Sequence, residues 1–459
     1  MRSVIFFLLV FSIHQAMSQQ QADSISDQTQ VTSNAMQKPK PFSGQVRYYF
    51  MATGNKHPLT DYYAHALSVQ GKYELGVGKH LRVAAGGAAI FNLASSDLTK
   101  IDPVAKRPNR YEVGLFDLRE PDKWASLRLE ELYLQYTLPK GWVRLGSQLI
   151  NTPFINPQDG RMRPTFVSGL YTKQSFAKTK IEGGYLAAVL DRSINRWYGV
   201  GHSIGLNPQC INTDGTPADY AFNLSSKGIL LAGISHQFTK EIRLKAWEQY
   251  VDKIFNTALL QADLEKAVND KLVYLASLQY INQVRVQSGG ANESTKGYFQ
   301  SASPAQVAGA MTGLKGDRWE VTLNYSRILA QTRYLMPREW GREPFFTFMP
   351  RERNEGFGNV QAFVVKTAFN FPKTGLKTSL QLGHFVLPDV KDVALNKYGM
   401  PSYNQVNAEL RYTPTFAPKF GLQFLYVYKD GTGNTYQNAA YVFNKIDMSL
   451  YNLVINYTW

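Results

Sequence analysis

The chain has 459 residues, of which 44% are hydrophobic and 13% aromatic, and its formal net charge is +15 at pH 7. This composition excludes disorder for the bulk of the chain, and beyond the first residues no apolar run approaches the ~18 residues that a membrane-spanning helix needs. The lone Cys210 excludes an intramolecular disulfide and a Cys-x-x-Cys metal or redox pair. The excess positive charge favours anionic partners.

Residues 1–18 are predicted to be a secretory signal peptide. Arg2 precedes an apolar run from Val4 to Ile13, and small residues follow at Ala16 and Ser18. No cysteine lies near the cleavage region to carry a lipid, and export makes nucleic acid an unexpected partner. Residues 19–43 are rich in Gln, Ser and Thr without a hydrophobic period, which predicts a flexible lead-in.

From Gly44 to Trp459 the hydrophobic period is two. In the stretch Gln405–Thr413, Val406, Ala408, Leu410 and Tyr412 form an apolar set that alternates with Asn407, Glu409 and Arg411. About eighteen such segments can be marked, each near the ~9–11 residues of a tilted transmembrane strand. A soluble propeller is the alternative, but a fixed repeat period is missing.

Connections between these segments alternate in length. Short ones fall at 138–142, 176–180, 238–242, 314–319 and 415–420, and long ones at 92–126, 150–168, 191–227, 330–358 and 387–403. This alternation is typical of bacterial outer-membrane barrels, with short periplasmic turns and long extracellular loops. The sequence therefore predicts an all-β, transmembrane antiparallel β-barrel over residues 44–459, with residues 19–43 in the periplasm.

The last strand must pair with the first, because an open sheet edge in lipid would leave backbone groups without partners. Counting back in twos from Trp459 gives Tyr457, Ile455, Leu453 and Tyr451, which we expect to face lipid. Trp459 resembles the terminal aromatic signal that the outer-membrane assembly machinery reads; the alternative is one more aromatic in the interfacial girdle. Both interpretations of Trp459 place the chain in the cell outer membrane, in contact with lipopolysaccharide.

The segment Val143–Leu170 resembles the third-loop region of the OprD-type outer-membrane porins. Matching positions are Gly146, Gln148, Leu149, Thr152, Pro153, Asp159, Arg161, Met162, Pro164, Thr165, Phe166 and Gly169, whereas Ser147 departs from the family's usual basic residue. The resemblance implies a monomeric barrel of eighteen strands, an inward-folded third loop, a ladder of basic residues in the lumen, and small solutes that bear a carboxylate.

Alternation assigns the lumenal face to these wall residues: Arg47, Arg82, Arg144, Arg243, Lys245 and Arg411. On the inward third loop, Asp159, Arg161 and Arg163 are expected beside the solute path. Arginine suits carboxylates because its planar fork binds both oxygens and stays charged. The alternative is that these cations pair with lumenal Glu130, Glu248 and Glu409 and only stiffen the wall, and that Asp159 and Arg161 lock the loop to it.

A second charged segment runs from Arg333 to Gly358 and includes Arg338 and Arg342 among glutamates and aromatic residues. It is expected either to fold into the mouth and narrow it, or to form a capped extracellular Ω-loop.

The expected function is a passive, substrate-selective diffusion channel for small anionic solutes, without cofactor or metal. The competing class is an outer-membrane protease or phospholipase, with Asp61 and His65, or Asp191 and His202, as conceivable catalytic pairs. Enzyme motifs such as His-Glu-x-x-His and Gly-x-Ser-x-Gly are missing from the sequence.

Overall fold

A computed structural model of the chain describes residues 41–157 and 161–459. The signal peptide and most of the lead-in predicted from the sequence lie outside the described residues. The strands are β1 Phe42–Gly54, β2 Tyr62–Val77, β3 Leu81–Ser95, β4 Ala125–Leu138, β5 Gly141–Gln148, β6 Phe166–Phe176, β7 Thr179–Leu190, β8 Tyr198–Gly199, β9 Ile229–Gln237, β10 Ile242–Val251, β11 Phe255–Asn269, β12 Leu272–Arg285, β13 Ala305–Lys315, β14 Trp319–Ile328, β15 Val360–Phe371, β16 Leu376–Val386, β17 Tyr403–Tyr412, β18 Phe420–Gly431 and β19 Met448–Thr458.

Short 3-10 helices interrupt the loops at Glu112–Leu115, Gly201–Ser203, Ser294–Lys296 and Ala439–Tyr441. In the part of the chain that the structure describes, no helix is long and apolar enough to cross a membrane.

Every wall strand pairs antiparallel with its neighbours in chain order, and β19 returns to pair with β1. In that closing ladder Val46 lies opposite Tyr457 and Tyr48 lies opposite Ile455. The two-residue β8 adds to β7 above the start of β9. The predicted antiparallel barrel is confirmed, as eighteen wall strands with one extra strand.

Apolar side chains cover the outside of the barrel and polar ones the inside. On β4, Leu127 and Leu129 are 79% and 59% exposed, whereas Arg128 between them is 3% exposed. A β-bulge follows, where Gly86 pairs with Glu131 but Gly87 pairs with Leu129. Consecutive Glu130 and Glu131 therefore both face inward, because a bulge shifts the alternation by one residue.

The first residues of β1 and the last residues of β19 lie at the end of the barrel that carries the short turns. The long loops lie at the opposite end, as expected, and include two that the sequence pattern did not single out, residues 286–304 and 432–447. One connection at that end is brief, residues 252–254 between β10 and β11. Much of the buried apolar core lies inside this half of the barrel and includes Trp340 and Phe154, which are almost fully buried.

Candidate functional site: a loop-narrowed lumen

The loop of residues 329–359, between β14 and β15, packs against the inside of the wall. Gln283 Nε2 on β12 donates to Leu335 O at 2.7 Å, and Gln405 Nε2 on β17 donates to Pro350 O at 2.9 Å. Gln279 on β12 likewise reaches Pro344 O at 3.1 Å. Because these anchors lie on widely separated strands, the loop crosses the lumen, and the alternative of an external Ω-loop is wrong.

This loop contacts the third loop at the same end of the barrel, residues 149–165 between β5 and β6. Asn156 N donates to Trp340 O at 3.1 Å, and Thr165 Oγ1 donates to Glu339 O at 2.7 Å. Gly341 has φ +148°, and a β-carbon there would lie 2.6 Å from Asn156 Oδ1, so the close approach requires glycine. Together the two loops form one narrowing of the lumen.

Protein groups engage the third-loop arginines on several sides. Arg163 makes a bidentate ion pair with Glu130 on β4, with Nη2 at 2.6 Å from Oε2. Arg161 Nη1 donates to Tyr111 O at 2.7 Å, and Arg161 O accepts from Arg47 Nη1 at 2.6 Å. Asp159 lies outside the described residues. These contacts hold the loop against the wall.

Parity along the strands places the wall cations predicted from the sequence on the inside of the barrel. Several have partners there: Arg47 with Asn456 (2.8 Å), Arg82 with Glu74 (3.4 Å), Arg243 with Gln237 (3.0 Å), Lys245 with Asp263 (2.8 Å) and Arg411 with Glu409 (2.8 Å). Arg144 donates to Gln135 and lies over the Tyr133 ring at 4.0 Å from its centroid. The lumen is therefore lined by cations with a smaller number of acids between them.

The lumenal assignment of Glu248 is wrong. Glu248 pairs across the sheet with Ala232 and Ala258 and shares its face with exposed Leu244, while Arg243 and Lys245 occupy the opposite face. A strand cannot present residues of both parities inward without a bulge. Glu248 instead faces outward, hydrogen-bonded to Asn256 near the β10–β11 turn.

The arginines of the 329–359 loop differ in their surroundings. Arg333 is 4% exposed, and its guanidinium donates to backbone carbonyls that include Ile211 and Ala394. Arg338 pairs with Glu355 and lies over the Tyr398 ring at 4.0 Å from its centroid. Arg342 is only half-buried, beside the Phe348 ring. Arg333 and Arg338 thus fix the loop, whereas Arg342 borders the lumen.

Buried carboxylates on this loop have opposite electrostatic surroundings. Burial alone would raise the pKa of Glu352, but the charges of Arg110 and Lys429, at 2.7 and 2.8 Å, hold that pKa well below its usual range. Burial raises the pKa of Glu343 to about 7, against the weaker opposing charge of Arg353. Glu352 is thus a permanent anion that ties the loop to the wall, and Glu343 titrates near neutrality.

Lys366 on β15 is a lumenal cation that the sequence reasoning missed. It lies opposite Thr322 and shares its face with buried Val364. Among the described residues no side-chain hydrogen bond or ion pair reaches Lys366, while the like charge of Arg342 and the opposite charge of Glu320 both act on it. The alternation Phe363, Val365, Phe369 on the outer face could have revealed it.

The conceivable catalytic pairs are not joined by hydrogen bonds. His65 Nδ1 is bonded to Tyr48 Oη at 2.7 Å on the outer wall, while Asp61 accepts from Asn55 N. The Asp191 carboxylate accepts from Asn207, and His202 is exposed beside the Phe222 ring. In the described ranges, no three His, Cys, Asp or Glu side chains group as a metal site.

A closed antiparallel barrel with an apolar outer wall, a charged lumen and two inward loops defines the class of outer-membrane porins. The family model for outer membrane porins of the OprD family matches residues 113–343, and the chain belongs to that family. Its place is therefore the cell outer membrane.

Solved structures agree on the fold. OccAB3 of Acinetobacter baumannii is 14% identical with a TM-score of 0.70, and the match covers 91% of this chain and 98% of that one. OpdK of Pseudomonas aeruginosa, crystallised with vanillate, is 14% identical with a TM-score of 0.67 and the same coverage. Acinetobacter baumannii OccAB2 is 15% identical with a TM-score of 0.69, covering 91% and 97%. No curated protein sequence matches the chain.

Proposed function

We propose that the chain is a passive diffusion channel, not an enzyme, which prefers small anionic solutes and carboxylates in particular. The observation that carries the proposal is Lys366, a lumenal cation that makes no side-chain hydrogen bond or ion pair with a described residue and that lies near Arg342 of the inward loop. A cation held in a narrow, water-filled tube raises the local concentration of anions. A solute carboxylate would give Lys366 the hydrogen-bonded anionic partner that no described side chain supplies.

The remaining sequence-derived residues are proposed to line or shape the same path. Arg47 lies where the charges of Arg163 and Arg411 act on it, which supports a basic strip from β17 to β1. Within the set, Arg161 and Arg163 act mainly by positioning the third loop. The proposal includes a cleaved signal peptide, a monomeric barrel, lipopolysaccharide around its outer half, and recognition of Trp459 by the assembly machinery.

The test is uptake by liposomes that contain the purified barrel, measured with a carboxylate and a neutral amide of the same size. The carboxylate should enter faster, and Lys366→Gln should slow it while leaving the amide unchanged. Lys227→Gln, in an exposed loop, is the matched control and should change neither rate. Equal rates for both solutes in the unmodified protein would refute the selectivity, and peptide or phospholipid hydrolysis by the same sample would favour the enzyme class.

A further inference from the structure

Every short turn that joins neighbouring wall strands at the periplasmic end carries an exposed basic residue. This basic collar consists of Lys79, Lys140, Lys178, Lys240, Lys271, Arg318, Lys373 and Lys419. Three of the turns also carry an acid next to the basic residue, namely Glu241, Asp270 and Asp317. The collar therefore carries a net positive charge, spread over the eight turns from β2–β3 to β17–β18.

The collar has few partners within the protein. Unlike the side chains of the lumenal cations Lys245 and Arg411, none of the collar's basic side chains makes an ion pair or a hydrogen bond with a described residue. Lys140 lies over the Phe176 ring, with Nζ at 5.0 Å from the centroid. Since intramolecular pairing does not account for these charges, they are available to anions outside the protein.

Outward-facing aromatic side chains lie next to the collar. Phe416, in the turn that ends at Lys419, is 85% exposed, and Phe238, in the turn of Lys240, is 63% exposed. Others at this end are Tyr73, Tyr136, Phe176, Tyr274, Trp319, Phe371 and Tyr457. Aromatic side chains at a membrane face mark the headgroup level, and lysines beside them extend toward the headgroups.

We propose that the basic collar binds the phosphate groups of anionic phospholipids in the periplasmic leaflet of the outer membrane. The aromatic band favours a lipid over the peptidoglycan layer, because it puts the charges at headgroup depth. Ammonium and guanidinium groups both form charge-assisted hydrogen bonds with phosphate oxygens. The proposal is independent of which solute passes through the lumen.

The test uses the whole barrel in phosphatidylcholine liposomes that contain a small fraction of brominated phosphatidylglycerol or, in a parallel sample, brominated phosphatidylcholine. Bromine quenches the fluorescence of nearby tryptophans, and Trp319 and Trp459 lie at this end of the barrel. The association constant for phosphatidylglycerol should exceed that for phosphatidylcholine by about fivefold per engaged headgroup. The difference should shrink at about 0.5 M salt, where exposed charges are screened.

The collar variant replaces by Gln the basic residues of turns without an acid: Lys79, Lys140, Lys178, Lys373 and Lys419. The control variant replaces the same number of exposed basic residues at the extracellular end: Lys100, Lys106, Arg107, Lys227 and Lys391. The collar variant should lose the preference and the control should keep it. Equal loss of the phosphatidylglycerol preference in the collar variant and the control variant would overturn the proposal.

The unmodified protein gives an answer even if the collar variant does not assemble. If the unmodified barrel shows no preference for phosphatidylglycerol over phosphatidylcholine, the proposed lipid binding is wrong. Co-sedimentation with purified peptidoglycan sacculi, without a lipid preference, would assign the collar to the cell wall instead.

Discussion

Arg163 on the third loop and Glu130 on β4 form a buried bidentate ion pair, with Nη2–Oε2 and Nε–Oε1 distances of 2.6 and 2.8 Å. Arg128 approaches the same carboxylate, with Nε at 3.2 Å from Oε1. This pair joins the inward loop to the wall beside the β4 bulge, which turns the next residue, Glu131, inward as well. By holding the third loop in place, this ion pair helps to set the width of the lumen.

We expect Glu130→Gln to destabilise the barrel by about 3–5 kcal/mol, because removing one partner leaves buried arginine charge uncompensated. Urea unfolding in liposomes, followed by tryptophan fluorescence, measures this. Glu131→Gln is the control, since Glu131 is only half-buried and its partner Lys72 is 28% exposed. An unfolding midpoint for Glu130→Gln equal to that of the control would show that the loop is held elsewhere.

Replacing Arg161 and Arg163 together by Gln tests their role at the constriction. Since their contacts fix the loop, we expect the uptake of a carboxylate and of a neutral solute of equal size to change alike. Liposome swelling with each solute gives the ratio of carboxylate uptake to neutral-solute uptake. A selective loss of carboxylate uptake, with the barrel still folded, would mean that these arginines touch the solute.

Glu343 should make the stability of the inward loop depend on pH. Burial raises its pKa to about 7 from an ordinary 4.5, so between these values the folded state binds more protons than the unfolded one. The free energy of unfolding should therefore fall as pH rises from about 4.5 to about 7 and then level off. Unfolding at pH 5 and at pH 8 measures the difference.

Glu343→Gln should flatten that dependence, because the amide does not titrate. Glu352→Gln is the matched comparison: with its pKa well below the usual range, Glu352 is ionised throughout this interval. The Glu352 variant should be less stable at both pH values but keep the slope. An unchanged slope in the Glu343 variant would assign the pH dependence to another group.

Closure of the barrel should depend on Trp459. Its backbone N donates to Gly44 O at 3.2 Å, and its ring centroid lies 6.3 Å from that of Phe42. We expect Trp459→Asp to leave unassembled protein in the periplasm, seen as loss of the heat-modifiable band in outer-membrane fractions. Gly44→Ala should weaken closure by the same route, because its β-carbon would lie 2.1 Å from the Trp459 ring. Normal assembly of the Trp459→Asp variant would refute the role of Trp459 in closure and assembly of the barrel.

Alternation made the wall predictable from the sequence. Arg47 and Arg411 lie inside because their neighbours Tyr48 and Leu410 must face lipid, and lipid disfavours charge on the outer wall. The same rule, applied without checking parity, misplaced Glu248. It placed Glu130 in the lumen but could not foresee the bulge that turns Glu131 inward as well.

The constriction was less predictable, because irregular loops have no period. Composition marked Arg333–Gly358 as unusual. It could not show that Gln283 and Gln405, on distant strands, anchor this loop inside the barrel. The pairing of Arg163 with Glu130 likewise depends on tertiary placement. Sequence reasoning therefore found the residue types at the site and left their partners open.

The reversal potential of the purified channel in a planar bilayer shows whether the lumen prefers anions to cations. Under a KCl gradient at low salt, we expect a potential of the sign that marks anion preference. The preference should decline as salt rises and the Debye length falls below its ~10 Å at 0.1 M, and it should be smaller in Lys366→Gln. A reversal potential that shows clear cation preference in the unmodified protein would rule out an anion-selective lumen.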